Sequence, residues 1–312
     1  MTDQADGLRQ WIQSRSRADD QRPPSTPPIA PPPTSPGRCR SVVLTSGKGG
    51  VGTSNLALNL AIALGQAGRR VVLVDADLGL ANIDLLCSLT PARDLGDVLT
   101  GACSLAEAVV EGPAGIRVVA GFHAARALGV PLTATAAANR LIPELAGLEA
   151  DADYLLVDAG SGLGPAITTL AANSHEVLIV TTPEPTALAD GHALIGRLRR
   201  LPATPTIRAV VNQVSSRREG EEVLVRLAAS SRQFQGAVVD GLGTVRLDPA
   251  VPLAVRRQRP FAGSRPGSPA ARDIRRLAEA LILRSELPTP ARKSGLWSAW
   301  ATRWATARAA SF

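Results

Sequence analysis

From Ser41 onward the chain alternates between two textures. Short, largely apolar runs rich in β-branched residues occur at Val42–Thr45, Val71–Asp75, Ile116–Ala120, Tyr154–Asp158, Val177–Thr182 and Ile207–Asn212. Between most of them lie longer stretches with helical periodicity: Ser54–Ala67, Thr133–Leu148, Leu163–Asn173, Thr186–Leu201 and Glu219–Phe234. A strand that is apolar on both faces must be covered on both, and strands that alternate with helices pair in parallel through crossovers. The pattern predicts an α/β fold, a doubly wound, mostly parallel sheet with helices on both faces. A single folded unit over residues 41–290 accounts for it.

The flanks follow other rules. Residues 23–36 hold eight of the 24 prolines, a density that excludes helix and sheet and predicts an extended spacer. The chain thus divides into a short N-terminal segment (1–15), a proline-rich linker (16–40), the folded unit (41–290) and a tail (291–312). In that tail Trp297, Trp300 and Trp304 stand at i, i+3 and i+7, within about 60° of one another on a helix. Arg292, Lys293, Arg303 and Arg308 accompany them without an acidic residue. Such a segment suits a membrane interface, where tryptophan is favoured.

Composition narrows the setting. No apolar run approaches the roughly 18 residues of a membrane-spanning helix, and the polar start lacks the basic-then-apolar layout of a secretion signal. Cys39, Cys87 and Cys103 are odd in number and show no CxxC spacing, so neither a disulfide framework nor a zinc site is expected. The expected location is cytoplasmic, with peripheral association at the inner face of the cell membrane through the tryptophan stripe. The net charge of +7 is uneven: residues 1–40 carry six basic and four acidic groups, and the last 22 carry four basic and no acidic ones. The remainder is close to neutral, so a nucleic-acid partner is not expected. The arginines at 197, 199 and 200, and at 256, 257 and 259, read as solvated faces. Of the 34 basic residues only Lys48 and Lys293 are lysine. A lysine kept against that bias points to a specific role.

Lys48 falls where chemistry is expected. The first strand runs into Ser46-Gly47-Lys48-Gly49-Gly50-Val51-Gly52-Thr53-Ser54, and then a helix. Glycines let backbone N–H groups converge on phosphate oxygens, and a helix N-terminus adds partial positive charge. Against the pattern G-x-x-x-x-G-K-[ST], the usual lysine is Thr53, while Ser54 keeps the hydroxyl that serves as a magnesium ligand. The second strand ends in Asp75-Ala76-Asp77 and a later one in Asp158-Ala159-Gly160. Carboxylates at the carboxyl edge of a parallel sheet, beside such a loop, sit where a metal ion and an attacking water belong.

Taken together, these segments resemble the deviant Walker A ATPases of the MinD/ParA type, within the SIMIBI branch of the P-loop NTPases. The resemblance covers about residues 40–285. It implies ATP and Mg²⁺ as ligands and a homodimer formed on ATP binding, with Lys48 reaching the partner's phosphates. It implies that Asp77 activates water, that Asp158 and Ser54 hold the metal with Asp75 nearby, and that the Gly160 backbone approaches the γ-phosphate. Asn212 would bond the adenine edge, and Val245–Val251 resembles the loop flanking the base. The family's second lysine is absent at Thr53, which bears on hydrolysis more than on binding, because that lysine offsets charge on the β- and γ-phosphates.

Asp3-Gln4-Ala5-Asp6-Gly7-Leu8-Arg9 is similar to the DQAxxLR motif of the FlhG (YlxH/FleN) subgroup, regulators of flagellar number. There the motif engages the SRP-type GTPase FlhF. Asp77–Asn82 and Thr182–Thr186 look like that subgroup too. The reading is therefore an ATP-binding, ATP-hydrolysing spatial regulator that cycles between a cytosolic monomer and a membrane-associated dimer. Two alternatives remain: a non-hydrolysing, nucleotide-bound scaffold, favoured by Thr53, and a ParA-like DNA- or cargo-positioning ATPase. His123, His175 and His192 are scattered, and none completes a nucleophile–base pair.

Overall fold

The computed structural model describes residues 39–122, 134–202 and 204–286. The N-terminal motif, the proline-rich linker and the tryptophan tail therefore lie outside the described residues, as does His123.

Eight strands form one sheet: β1 (Arg40–Ser46), β2 (Val71–Asp75), β3 (Val109–Glu111), β4 (Arg117–Val119), β5 (Tyr154–Ser161), β6 (Glu176–Thr181), β7 (Thr206–Val214) and β8 (Val239–Arg246). Their order across the sheet is β3-β4-β2-β5-β1-β6-β7-β8. Every pairing is parallel except that of β3 with β4. The expected doubly wound sheet is present. The helices are α1 (Thr53–Gln66), α2 (Ile83–Leu86), α3 (Leu95–Thr100), α4 (Ala134–Leu148), α5 (Pro165–Ala172), α6 (Pro185–Arg199), α7 (Arg217–Gln235), α8 (Ala250–Arg256), α9 (Phe261–Ser264) and α10 (Pro269–Glu286).

Period-two alternation divides the core between the two faces. Val43, Val72, Val74, Leu155, Val157, Val177 and Ile179 pack on one side with Leu141, Ile142, Leu194 and Leu198 of α4 and α6. Val42, Leu44, Leu73, Leu156, Leu178 and Val180 point the other way, against Leu56, Leu60 and Leu64 of α1 and Ile274, Leu277 and Leu281 of α10. Helix α1 is buried on nearly every side because α10 covers what the sheet does not. Its Asn59 is fully buried and satisfied, accepting from the Ala262 N–H at 2.8 Å and donating to the Asn55 carbonyl at 2.8 Å.

The opposite ends of the strands carry different chemistry. At their amino ends, buried Glu176 takes Arg40 at 2.9 Å and Arg208 at 2.7 Å, an ion cluster that ties β1, β6 and β7 together. Their carboxyl ends point toward the loops that follow β1, β2, β5, β6 and β7. A crossover sheet gathers those loops at one edge.

Candidate nucleotide-binding site

The loop between β1 and α1 is built around glycine. Gly50 and Gly52 hold φ of 82° and 90°, in the left-handed region that other residues enter only at a cost. Gly47 lies so close to the Asp190 backbone of α6 that a Cβ there would overlap it. The Ser46 hydroxyl donates to the Lys48 carbonyl at 2.9 Å and accepts from the Thr53 hydroxyl at 3.0 Å. Thr53 is buried and thus braces the loop from within. The loop ends at the first turn of α1, a 14-residue helix with no acidic residue in that turn, so its N–H groups remain oriented for an anion.

Asp75 and Asp158 are register partners on adjacent strands, and both are buried. Burial, joined by the neighbouring Asp158 charge, pushes the Asp75 carboxyl up to about 7. Its oxygens are nonetheless well occupied. One accepts from the Asp77 N–H at 3.2 Å and the other from Asn82 and Ile83 N–H at 2.9 and 3.0 Å. Asp75 thereby pins the start and end of the segment that carries Asp77. Asp75 thus stands beside Asp158, and its own partners are backbone donors.

Asp158 differs. Burial pushes its carboxyl up to about 6, against the neighbouring Ser54 hydroxyl and the Gly160 N–H, which favour the charged form. One oxygen accepts that N–H at 3.1 Å, while Oδ2 is buried without a hydrogen-bond partner. A buried carboxylate oxygen left unpartnered is costly, and a divalent cation beside it would remove the cost. With the Ser54 hydroxyl beside Asp158, the residues present fit Mg²⁺.

Asp77 folds its own turn by accepting from Gly79 and Leu80 N–H at 3.0 and 3.1 Å. Its carboxylate also rests on Gly160, whose φ is 69°; a Cβ there would stand 2.5 Å from the Asp77 carboxyl carbon. Asp77, Gly160 and Asp158 therefore meet at one place. Asn212 stands at the end of β7 on the far side of the loop. Its amide donates to the Val51 carbonyl at 2.8 Å and accepts from the Gln213 N–H at 2.9 Å. Through these contacts it braces the loop. The Val245–Val251 segment closes β8 and opens α8, and Asp248 joins it to α10 by accepting from Ala270 at 2.9 Å.

The sequence reading missed one neighbour of the loop. Lys48 Nζ donates to Glu184 Oε2 and to Thr186 Oγ1, both at 3.0 Å. Both partners lie in the segment from β6 into α6, which was singled out only for its likeness to a subgroup. His175 and His192 are structural: His175 pairs with Ser41, and His192 with Ser230 of α7.

Comparison with known proteins agrees with this geometry. Residues 42–261 match the CobQ/CobB/MinD/ParA nucleotide-binding domain. The chain is 35% identical to the antiactivator FleN of Pseudomonas aeruginosa, over 81% of this chain and 89% of that protein. It is 28% identical to the flagellum site-determining protein YlxH of Helicobacter pylori, over 80% and 84%. Among solved structures, the cell division ATPase MinD of Pyrococcus furiosus superposes with a TM-score of 0.65 at 26% identity, covering 78% of this chain and 99% of that one.

Proposed function

The chain belongs to the CobQ/CobB/MinD/ParA nucleotide-binding family, and from that premise we propose that it is an ATP-dependent switch regulating the number or placement of flagella. The observation that carries this reading is the 35% identity to FleN across 89% of that protein. The convergence of the glycine loop, Asp77 and Asp158 supports the nucleotide part of it.

Each residue then has a task. The amides of Gly49–Ser54 and the first turn of α1 hold the phosphates. Ser54 and Asp158 would hold Mg²⁺, whose chemistry is to neutralise the phosphate oxygens. Asp77, fixed by its own turn and by Gly160, orients the attacking water. Asp75 keeps the Asp77 segment in register. Asn212 is positioned to trade its loop contact for the adenine edge. Lys48 acts on the phosphates of a second copy in an ATP-bound homodimer. The N-terminal segment 1–15 engages the GTPase FlhF, the proline-rich linker 16–40 gives it reach, and the tail 291–312 meets the membrane. This reading is tested by deleting the gene and counting flagella per cell after restoring wild type, Asp158→Ala or Lys48→Ala. Wild type alone should restore the normal number; an unaltered count in the deletion strain would sink the proposal.

A second reading is favoured by Thr53, which leaves the β/γ-phosphates without a lysine at that position of the loop. The nucleotide would then be a bound ligand of a scaffold and not a substrate. Steady-state turnover separates the two. If wild type hydrolyses ATP and Asp77→Ala does not, the switch is hydrolytic. If only Thr53→Lys turns ATP over, the scaffold reading stands.

A further inference from the structure

Charge is not spread evenly over the folded unit. Residues 245–278 carry eight arginines and two acids, whereas the rest of 41–290 carries 16 basic and 21 acidic residues. The structure gathers this stretch into one run of packed elements, because α9 contacts both α8 and α10. At the end of α8, Leu253 is followed at i+3 and i+4 by Arg256 and Arg257, which makes the three surface neighbours. All three are exposed, as are Val255 and Arg259. On the first turns of α10, Arg272 donates to the Gly267 carbonyl, and Arg275 to that of Pro266 at 2.8 Å. Both are thereby drawn to the loop that carries exposed Arg265. The two acids give little relief. Asp248 and Asp273 are buried, and Asp273 is shared by Arg217, Arg246 and Arg276 at 2.8, 2.7 and 3.3 Å. From Ala250 to Ala278 seven arginines are exposed and no acid is. Like charges so gathered repel one another until a counter-charge arrives.

We propose that this face docks an acidic segment of a partner protein, one that presents aliphatic side chains among its carboxylates. Guanidinium groups take carboxylates in a bidentate fork. Exposed Leu253 and Val255 supply the apolar contact among them. Charge complementarity fixes the sign of the partner, and the surroundings of the arginines fix its kind. Leu253 and Val255 find no counterpart on a phosphate backbone, which is read by charge and hydrogen bonds. A long duplex reaching past the arginines would also meet the acidic remainder of the unit. The tail assigned above to the membrane leaves α10 at its other end, about 27 Å from the turns that carry Arg272 and Arg275. A short acidic protein segment fits the face without either conflict.

The experiment titrates the full chain against a fluorescein-labelled peptide of repeated Glu-Glu-Leu-Leu, and against a second peptide with serine in place of leucine. A random-sequence DNA duplex and phosphatidylglycerol vesicles complete the set. Wild type should bind the leucine peptide at least about fivefold more tightly than the serine peptide. Arg256→Gln with Arg257→Gln should weaken binding of the leucine peptide at least about tenfold. Leu253→Ser should remove the preference for leucine and leave affinity for the serine peptide unchanged. Arg197→Gln with Arg200→Gln, which takes the same charge from α6, should change neither. Mg-ADP affinity, read on the same samples, should match wild type in every variant and so report an intact fold. Equal affinity for the two peptides, or equal losses from the α6 pair, would reduce the effect to net charge and overturn the proposal. If the changes at Arg256 and Arg257 cost the duplex or the vesicles more affinity than the peptide, the occupant is a nucleic acid or a lipid surface and the proposal falls.

Discussion

The ammonium nitrogen of Lys48 stands 3.0 Å from a carboxylate oxygen of Glu184, so the lysine the sequence singles out is held by the segment after β6 of its own chain. Any use of Lys48 on a second copy begins by breaking that pair. Glu184→Gln should lower the chain concentration needed for nucleotide-bound dimers by about two- to threefold, the scale of an exposed ion pair. Analytical ultracentrifugation reads the midpoint directly. An unchanged or raised midpoint would mean that Glu184 does not restrain Lys48.

Asp158 and Asp75 carry a stability signature of their own. Their ordinary value is 3.8, and folding raises them to about 6 and about 7. A carboxyl raised in the folded state binds more protons there than in the unfolded chain, so its contribution is present at low pH and lost as pH rises through those values. Without nucleotide, thermal stability should therefore fall between about pH 4 and pH 7 from this source. Asp158→Asn should raise the nucleotide-free melting point at pH 7.5 by the equivalent of about 1–2 kcal/mol, because it removes a buried charge whose Oδ2 has no hydrogen-bond partner. The same variant should lose the further stabilisation given by Mg²⁺ with nucleotide. Differential scanning fluorimetry over the pH range, with and without Mg-ADP, measures both. A destabilised variant would contradict the argument.

The six strands read from hydrophobic runs are all present, and β2 keeps its expected bounds (Val71–Asp75), because strands buried on both faces announce themselves. β8 does not: Val239–Arg246 includes Gly241 and Gly243, and exposed Asp240 interrupts it. It lies at the sheet edge, where burial exerts less control over composition. The antiparallel β3, three residues long, is too short to show a period. At the site, the loop and the carboxylates were legible because spacing within a strand–loop–helix unit fixes their geometry. Two relationships were not: the claim of three backbone N–H groups on Asp75, and the hold of Glu184, 136 positions away, on Lys48. Both depend on how separate loops close on one another, which local pattern does not encode.

Gly160 has two reasons to be glycine. Its φ of 69° costs another residue about 1–2 kcal/mol, and a Cβ would stand 2.5 Å from the Asp77 carboxyl. Gly160→Ala should therefore displace Asp77 before it unfolds the chain. Expected are a loss of ATP turnover of at least about 100-fold and nucleotide affinity within a few-fold of wild type, as single-turnover kinetics and equilibrium binding would report. Turnover at the wild-type rate would show that Asp77 does not depend on this contact.

If the N-terminal segment is the FlhF-binding arm, removing residues 1–15 should abolish capture of FlhF and leave nucleotide binding unchanged. A pull-down with the full-length and shortened chains, beside one nucleotide titration of each, gives both readings. Undiminished capture by the shortened chain would transfer the contact to the folded unit.

The tail makes a prediction of a different kind. Trp297, Trp300 and Trp304 lie on one stripe of any helix they form, and the basic residues around them favour an anionic surface. Among the described residues no helix is long and apolar enough to cross a membrane, so an attachment through those residues would be peripheral. Replacing Trp297 and Trp300 with glutamate removes two interfacial anchors and introduces two charges that anionic lipid repels. Co-sedimentation with vesicles containing phosphatidylglycerol should fall by at least about tenfold, since each anchor lost and each charge added costs on the order of 1 kcal/mol. Circular dichroism of the intact chain should not change, because the substitutions lie beyond α10. Retained sedimentation would mean that membrane attachment, if it occurs, does not use the stripe.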